Sequence, residues 1–574
     1  MGLGGQPLSS SKNEQIGTRD SGRNGTLCFM AVLLLINPSF AVASSTAKNV
    51  QNQLAASNAA MLVAPATAGV VGAVSITNSN IFDLSDPQES GLLYRLANQL
   101  HIRTQPEVIQ QQLLLQPGDF YSEQAVQESE RILRQNRYIQ EASVVAVPRK
   151  NGVVDLDVTT SDVWTLMPKL SFSRSGGASN TTIGIKETNL LGRGIAVEAA
   201  YKSDPDRDAK ILKFNDRNIA GSWYGMSALY SSNSDGHDYG LGLGKPFYSM
   251  DARNSKTIGL QNFDRVDAFY TRGDVSSEYR HEASIGTIAY GWSKGLQDNW
   301  VKRFFVGFVS DEHTFSDAED SLYAPGLVPD DRKLRYPFVG IEIVENRFEK
   351  TRNYDQMNRT EDRFLGTQAS ARLGFAQAGH GSDRDALIIN MQAQTGFGSS
   401  ANKQSLLLAS GVEGRLEQGG MQNLALTMSA KYFKRYSERS LLHVSISGLL
   451  GQELDLDQQV QLGGDSGLRG YPLRYQTGDS SVLLTVEHRF FTDWYPFRLF
   501  HVGAAAFFDA GRTWGSTAAS VSDNEILRDV GFGLRLGNDR SGIGRMIHID
   551  VAFPLDGSDD IDNMQFLIST KKSF

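Results

Sequence analysis

One cysteine, Cys28, occurs in 574 residues, and it falls in a stretch that reads as a removable leader. The mature chain is therefore expected to have no thiol for a disulfide, a thiolate metal site or cysteine catalysis. Proline is scarce, at 16 residues. Basic residues do not predominate, and the formal charge is −8, so the electrostatic footprint of a nucleic-acid binder is missing. The nine histidines are scattered, with no His-Glu-x-x-His pair to hold a metal. After the leader no apolar run approaches the roughly 20 residues that a membrane-spanning helix needs.

Two short motifs imitate enzyme sites and fail on context. Gly464-Asp465-Ser466-Gly467 looks like a serine-protease nucleophile, but no His and Asp accompany it in a triad order. Gly240-Leu241-Gly242-Leu243-Gly244-Lys245 looks like a phosphate loop, yet no Ser or Thr follows the lysine and the segment alternates like a strand. No catalytic constellation emerges, and neither a cofactor nor a metal is expected.

What is present begins with the leader, residues 1–43. Arg19 and Arg23 give the positive flank, Leu27 to Ile36 an apolar run of ten, and Ala41-Val42-Ala43 a small-residue cleavage site. Residues 44–89 are rich in Ala, Ser and Asn and read as a flexible linker.

Residues 90–164 predict a small α+β domain in the order strand, helix, helix, strand, strand. The first strand is expected near Leu96–Ile102. Thr104-Gln105-Pro106-Glu107 predicts a capping box with Pro in the first turn. Ser122 is placed to cap a second helix, whose buried face carries Val126, Ser129, Ile132 and Leu133. Two alternating strands then flank an Asn151-Gly152 hairpin turn.

From residue 165 to 574 the texture is that of a β-barrel. Segments of about ten residues alternate apolar and polar between Gly, Asp, Asn and Ser turns. Val530-Gly531-Phe532-Gly533-Leu534-Arg535-Leu536 is one such segment, and aromatics gather near segment ends, as at Phe490-Phe491 and Trp494-Tyr495. At roughly 25 residues for each strand with its connections, the segment predicts about sixteen antiparallel transmembrane strands. A secreted, cysteine-free chain of this kind fits an outer-membrane barrel better than a soluble sandwich or propeller, since no repeat of their length is visible.

The motifs sharpen this reading. Asn189-Leu190-Leu191-Gly192-Arg193-Gly194, Gly463-Gly464-Asp465-Ser466-Gly467-Leu468-Arg469-Gly470-Tyr471, Phe507-Phe508-Asp509-Ala510-Gly511 and a terminal Phe574 together resemble the bacterial outer-membrane surface-antigen superfamily. Its barrels, preceded by POTRA domains, include barrel-assembly factors and two-partner-secretion transporters. The resemblance covers residues 90–574 and implies a single POTRA domain. It also implies that Leu468, Arg469, Gly470 and Tyr471 lie on a long extracellular loop folded back into the lumen, facing the Phe507, Asp509, Gly511 strand.

Strand geometry makes physical sense of those residues. Alternate residues share a face, so Phe507, Asp509 and Gly511 point one way, and Glu487 and Arg489 share a face on the preceding strand. A charge facing lipid would cost about 2–4 kcal/mol at mid-bilayer. Asp509 and Glu487 are therefore expected in the lumen, with Arg535 and Asp550, and both can pair with Arg469. The Phe507 ring can take the flat guanidinium.

The resemblance implies a chain that inserts or translocates other polypeptides at the outer membrane of a diderm bacterium, its POTRA domain in the periplasm and Arg469 pinning the loop. Its partners would be unfolded or secreted client polypeptides, outer-membrane lipid, and accessory periplasmic proteins or lipoproteins. The alternative is a passive channel or an envelope-structural barrel.

Overall fold

A computed structural model describes residues 69–318, 327–517, 520–521, 525–541, 546–557 and 561–571. The expected leader, most of the expected linker and Phe574 lie outside the described residues. Among the described residues no helix is long and apolar enough to cross a membrane.

The small domain starts earlier in the chain than its composition suggests. Strand β1, Val70–Ser79, lies inside the stretch read as a linker. It pairs in parallel with β3 (Val153–Asp162), which pairs antiparallel with β2 (Ile139–Pro148), giving the sheet order β1-β3-β2. In β1, Val71, Val74 and Ile76 turn inward while their neighbours face out. Only Val74 and Ile76 alternate in the sequence; Val71 is brought to the same face by an irregularity in the register between Val71 and Val74. The strand expected near Leu96–Ile102 is instead helix α1, Leu92–Leu100.

Helix α2 (Pro106–Gln110) is followed by α3 (Glu123–Arg134), with Ser122 accepting the Ala125 N–H at its start. Ile109, Leu133, Ile139, Leu156 and Val158 form the buried centre between helices and sheet. Asn151 and Gly152 both adopt positive φ, 63° and 73°, as the tight turn between β2 and β3 requires.

The capping box does not form. Gln105 is the residue that starts α2, with no side-chain cap. Thr104 is instead committed to tertiary bonds, its N–H and hydroxyl donating to the two oxygens of buried Asp162 at 2.7 and 3.0 Å. A buried carboxylate without donors would be costly, and this demand outweighs a local cap.

Among the described residues, twenty of the remaining strands close into one antiparallel barrel from Leu166–Ser175 to Gln565–Lys571, and the other six form three two-stranded ladders. The barrel has twenty strands, not about sixteen. The estimate assumed long connections, whereas many here are minimal. Gly225–Asn233 and Gly236–Lys245, for example, are separated by two residues. Other strands are much longer than the roughly 9–11 residues that span a bilayer; Asp274–Gln297 has 24 and must project beyond it.

Alternation sorts the two faces. On Leu527–Gly537, Val530, Phe532 and Leu534 are exposed on the outside, while Asp529 and Arg535 are buried inside. The small domain sits at one barrel end. Its Thr104 hydroxyl accepts from Asn189 Nδ2 at 2.8 Å, and the Gln105 N–H donates to Gly192 O at 2.9 Å. Gly194, at φ 74°, comes so close to Tyr138 that an added Cβ would lie 2.8 Å from the phenol oxygen. Burial pushes that phenol up to about 12, so it stays neutral and accepts a bond from Gln112. The Asn189–Gly194 motif is thus the barrel turn that seats the domain.

Candidate functional site

At the far end of the barrel, residues 453–479 leave the strand Ser440–Gln452 and return to Ser480–Phe491 by way of the lumen. A two-stranded ladder, Val460–Leu462 with Gln476–Gly478, forms the stalk. The tip is closed by local bonds. Gly463 N–H donates to Ser466 Oγ at 2.7 Å, and Leu468 N–H donates to Gly463 O at 3.0 Å. Ser466 thus works as a turn residue. Leu468 and Tyr471 are fully buried and pack with Leu462, Tyr475 and Leu527.

The tip leaves no room for side chains where glycine stands. A Cβ on Gly470 would lie 2.7 Å from Asp529 Cβ and 3.1 Å from Pro554 N, and one on Gly467, at φ 120°, 2.3 Å from Leu483. The close approach lets Gly470 N–H reach Asp529 Oδ2 at 3.1 Å.

Arg469 enters the wall between these contacts. Its Nε and Nη2 donate to the two oxygens of Asp509 at 2.6 and 3.0 Å, and Nη1 donates to Glu487 Oε2 at 3.0 Å. Asp550 Oδ2 lies 3.7 Å from the same nitrogen. The guanidinium carbon is 3.3 Å from the centroid of the Phe507 ring. All these groups are buried, where a fork of charge-assisted bonds on an aromatic face holds the loop in one orientation. Phe507→Leu keeps the ion pairs and most of the apolar volume. It is expected to cost about 2 kcal/mol, the worth of a desolvated cation–π contact, as a lower urea midpoint in liposomes.

The network continues below the loop. Glu487 also accepts from Arg489 Nε at 2.9 Å and Arg535 Nη2 at 3.0 Å, and Arg535 is bonded to Asp550. Three guanidinium groups therefore face Glu487, Asp509 and Asp550, with Asp529 in register with Asp509. Phe507, Asp509 and Glu487 are buried, and so is Gly511.

Two parts of the site have no counterpart in the sequence reading. Asp529 lies in phase with Arg535 on its strand, so alternation alone could have placed it inside. The other part could not be found locally. Residues 346–367 leave the barrel at the domain end and form a hairpin, Phe348–Thr351 with Glu361–Phe364. Its turn enters the lumen, where Tyr354 O accepts from Arg489 Nη1 at 2.9 Å and the Tyr354 ring packs on Phe433. The outer side of the hairpin meets the small domain, where Asp362 binds Arg134 through two bonds and Lys350 pairs with Glu130. A continuous set of polar contacts thus runs from α3 through the hairpin to Arg489, Glu487 and Arg469.

The loop also touches both flanks of the barrel's closing seam. Leu473 N–H donates to Gly176 O, in the hairpin after the first strand, at 3.3 Å. On the other flank, Tyr471 OH donates to Asp556 O at 3.1 Å, just past the strand Met546–Pro554. Among the described residues the first and last strands share one register pair, Arg174 with Ile568, whereas the last strand makes seven with its other neighbour, from Met546↔Lys571 to Ala552↔Gln565.

Residues 345–571 match the Omp85 superfamily domain. No curated protein matches the chain. Among solved structures, the chain is similar to BamA from Haemophilus ducreyi lacking POTRA domains 1–3, at 14% identity over 87% of this chain and 85% of that one, with a TM-score of 0.40. It is also similar to CdiB from Acinetobacter baumannii, at 11% identity over 87% of this chain and 74% of that one (TM-score 0.44). CdiB from Escherichia coli is 12% identical over 92% and 97% of the two chains (TM-score 0.42).

Proposed function

We propose that the chain inserts or translocates other polypeptides at the bacterial outer membrane, and that the seam under the inward loop is where it acts; the match of residues 345–571 to the Omp85 superfamily domain supports this reading. The observation that carries this reading is that, among the described residues, the first and last strands share one register pair, spanned from inside by the loop. A client strand brings backbone groups that lipid cannot satisfy. Among the described residues this seam has fewer ladder pairs to break than the junction on the other side of the last strand.

The loop sets the state of the seam. Held by Arg469, it bridges Gly176 and Asp556; released, it lets the two flanks part. At the periplasmic end the small domain, read as a POTRA domain, supports a first contact with the client. Strand β2 is an edge of its sheet and Val145 on it is exposed, which suits strand addition. No nucleotide is needed, since the client's own folding in the membrane drives the transfer.

The test is a disulfide across the seam. Arg174→Cys with Ile568→Cys, in a Cys28→Ser background, places thiols at the register partners. Oxidation is expected to stop the accumulation of outer-membrane or exported polypeptides that depend on this chain, and reduction to restore it. Normal accumulation with the seam locked, together with steady client-independent conductance in planar bilayers, would instead establish a passive channel.

A further inference from the structure

Helix α1, Leu92–Leu100, is amphipathic, but its faces are reversed relative to the domain that carries it. In a helix packed on a globular domain the apolar stripe faces the core. Here Leu92, Leu93, Leu96 and Leu100 share one arc at helical spacing, and that arc is turned away. Leu92 is 80% exposed, Leu93 76% and Leu100 63%, and no residue of the helix is buried.

The polar side does the holding. Asn98 accepts the Phe82 N–H at 3.1 Å and donates to Phe82 O at 2.8 Å, and Asn80 donates to Asn98 O. Tyr94 packs on the Phe82 ring with centroids 4.8 Å apart. The presentation of the leucines is thus built in by specific bonds.

The position of the helix says what faces it. Tyr94 OH donates to Phe497 O at 3.2 Å, in the periplasmic turn between the strands Ser480–Phe491 and His501–Trp514. That turn exposes Trp494 at 65% and Phe497 at 76%, and Phe490 is exposed on the lipid face of the strand above it. Aromatics at this level are where a barrel meets the lipid interface. The leucine arc adjoins the membrane belt of the barrel, and Arg95 at its edge can reach the headgroups.

We infer that α1 lies in the periplasmic leaflet of the outer membrane, its leucines among the acyl chains beside the Trp494–Phe497 turn. The bound partner is phospholipid. The helix anchors the small domain to the bilayer as well as to the barrel, beneath the strands that lead to the closing seam. An interfacial helix of this kind sits about 5–10 Å deep, at the boundary of headgroups and acyl chains. This inference is independent of the polypeptide-handling function and survives its failure.

The full chain, with Cys28→Ser and a single Leu93→Cys carrying an environment-sensitive fluorophore, is reconstituted into vesicles of phosphatidylethanolamine and phosphatidylglycerol. A second sample carries the label at Lys150→Cys, on the β2–β3 turn. Nitroxide attached high on the lipid acyl chain is expected to quench most of the emission at position 93 and little at 150. Leu92→Ser, Leu96→Ser and Leu100→Ser together should abolish quenching at 93 while the barrel, judged by its heat-modifiable gel mobility, stays folded, because these side chains are not part of the core. Quenching at 93 by aqueous iodide alone would overturn the inference. Protection from both quenchers would overturn it too, since the face would then be covered by protein, such as a second copy of the chain.

Discussion

Arg469→Ala is expected to destabilise the barrel by about 3–5 kcal/mol, the usual cost of leaving a buried ion pair with one partner. The substitution removes the two bonds to Asp509, the bond to Glu487 and the stacking on Phe507. It leaves carboxylates that are almost inaccessible to water. Urea unfolding in liposomes should show the loss, and protease should cleave within residues 453–479 of the folded variant. Arg469→Lys keeps the charge but not the fork and should fall between. Glu487→Gln with Asp509→Asn should reduce the cost of losing Arg469, because the stranded charges are then gone. A midpoint unchanged by Arg469→Ala would remove the loop anchor from the account. Stability lost without any change in the dependent polypeptides would keep the anchor and remove its role at the seam.

Arg134→Ala is the second large effect, at the other end of the barrel. Arg134 holds Asp362 with bonds of 2.8 and 2.7 Å and donates to Ala142 O at 2.8 Å, with a side chain only 4% exposed. Burial alone would push this guanidinium down, but the bonds and charge of Asp362 outweigh it and hold it above its ordinary value. The pair therefore favours the charged form by more than its desolvation costs. Its removal should loosen the hairpin from the small domain by about 3–5 kcal/mol. Faster amide exchange is expected at Phe348–Thr351 and Glu361–Phe364, with β3 still protected. If the hairpin couples the domain to the loop, exchange should rise at Leu468–Tyr471 as well. A rise confined to the hairpin would show that the polar contacts through Tyr354 and Arg489 transmit nothing.

The luminal site was unusually legible in one dimension because a barrel strand has a strict period of two and a strong penalty for error. A charge in Phe507–Gly511 or around Glu487 must face inward, so its parity alone assigns it to the lumen. Asp529 obeyed the same rule. Strand number was less legible, because it depends on connection lengths, and minimal turns such as the one before Gly236 leave little trace in an average. Residues 70–79 show how composition can mislead. Val74 and Ile76 alternate, but Val71 is out of step with them across a register shift, and the Ala, Gly and Ser residues around them resemble a linker.

The order and spacing of residues by themselves determined that this chain is a barrel with a small α+β domain before it and which strand side chains face the lumen, whereas the pairing of Arg469 with those carboxylates was expected only from the family resemblance of its motif. The barrel and its inward faces follow from local periodicity and from the cost of placing charge in hydrocarbon, and both act strand by strand. Only the tertiary structure decided that a hairpin from residues 346–367 rises into the lumen, that the arginine loop touches both flanks of the closing seam, and that the leucines of α1 point away from their own domain. Each of these joins groups far apart in the chain through contacts set by shape and by the need to pair buried polar atoms, and no local pattern encodes such a meeting.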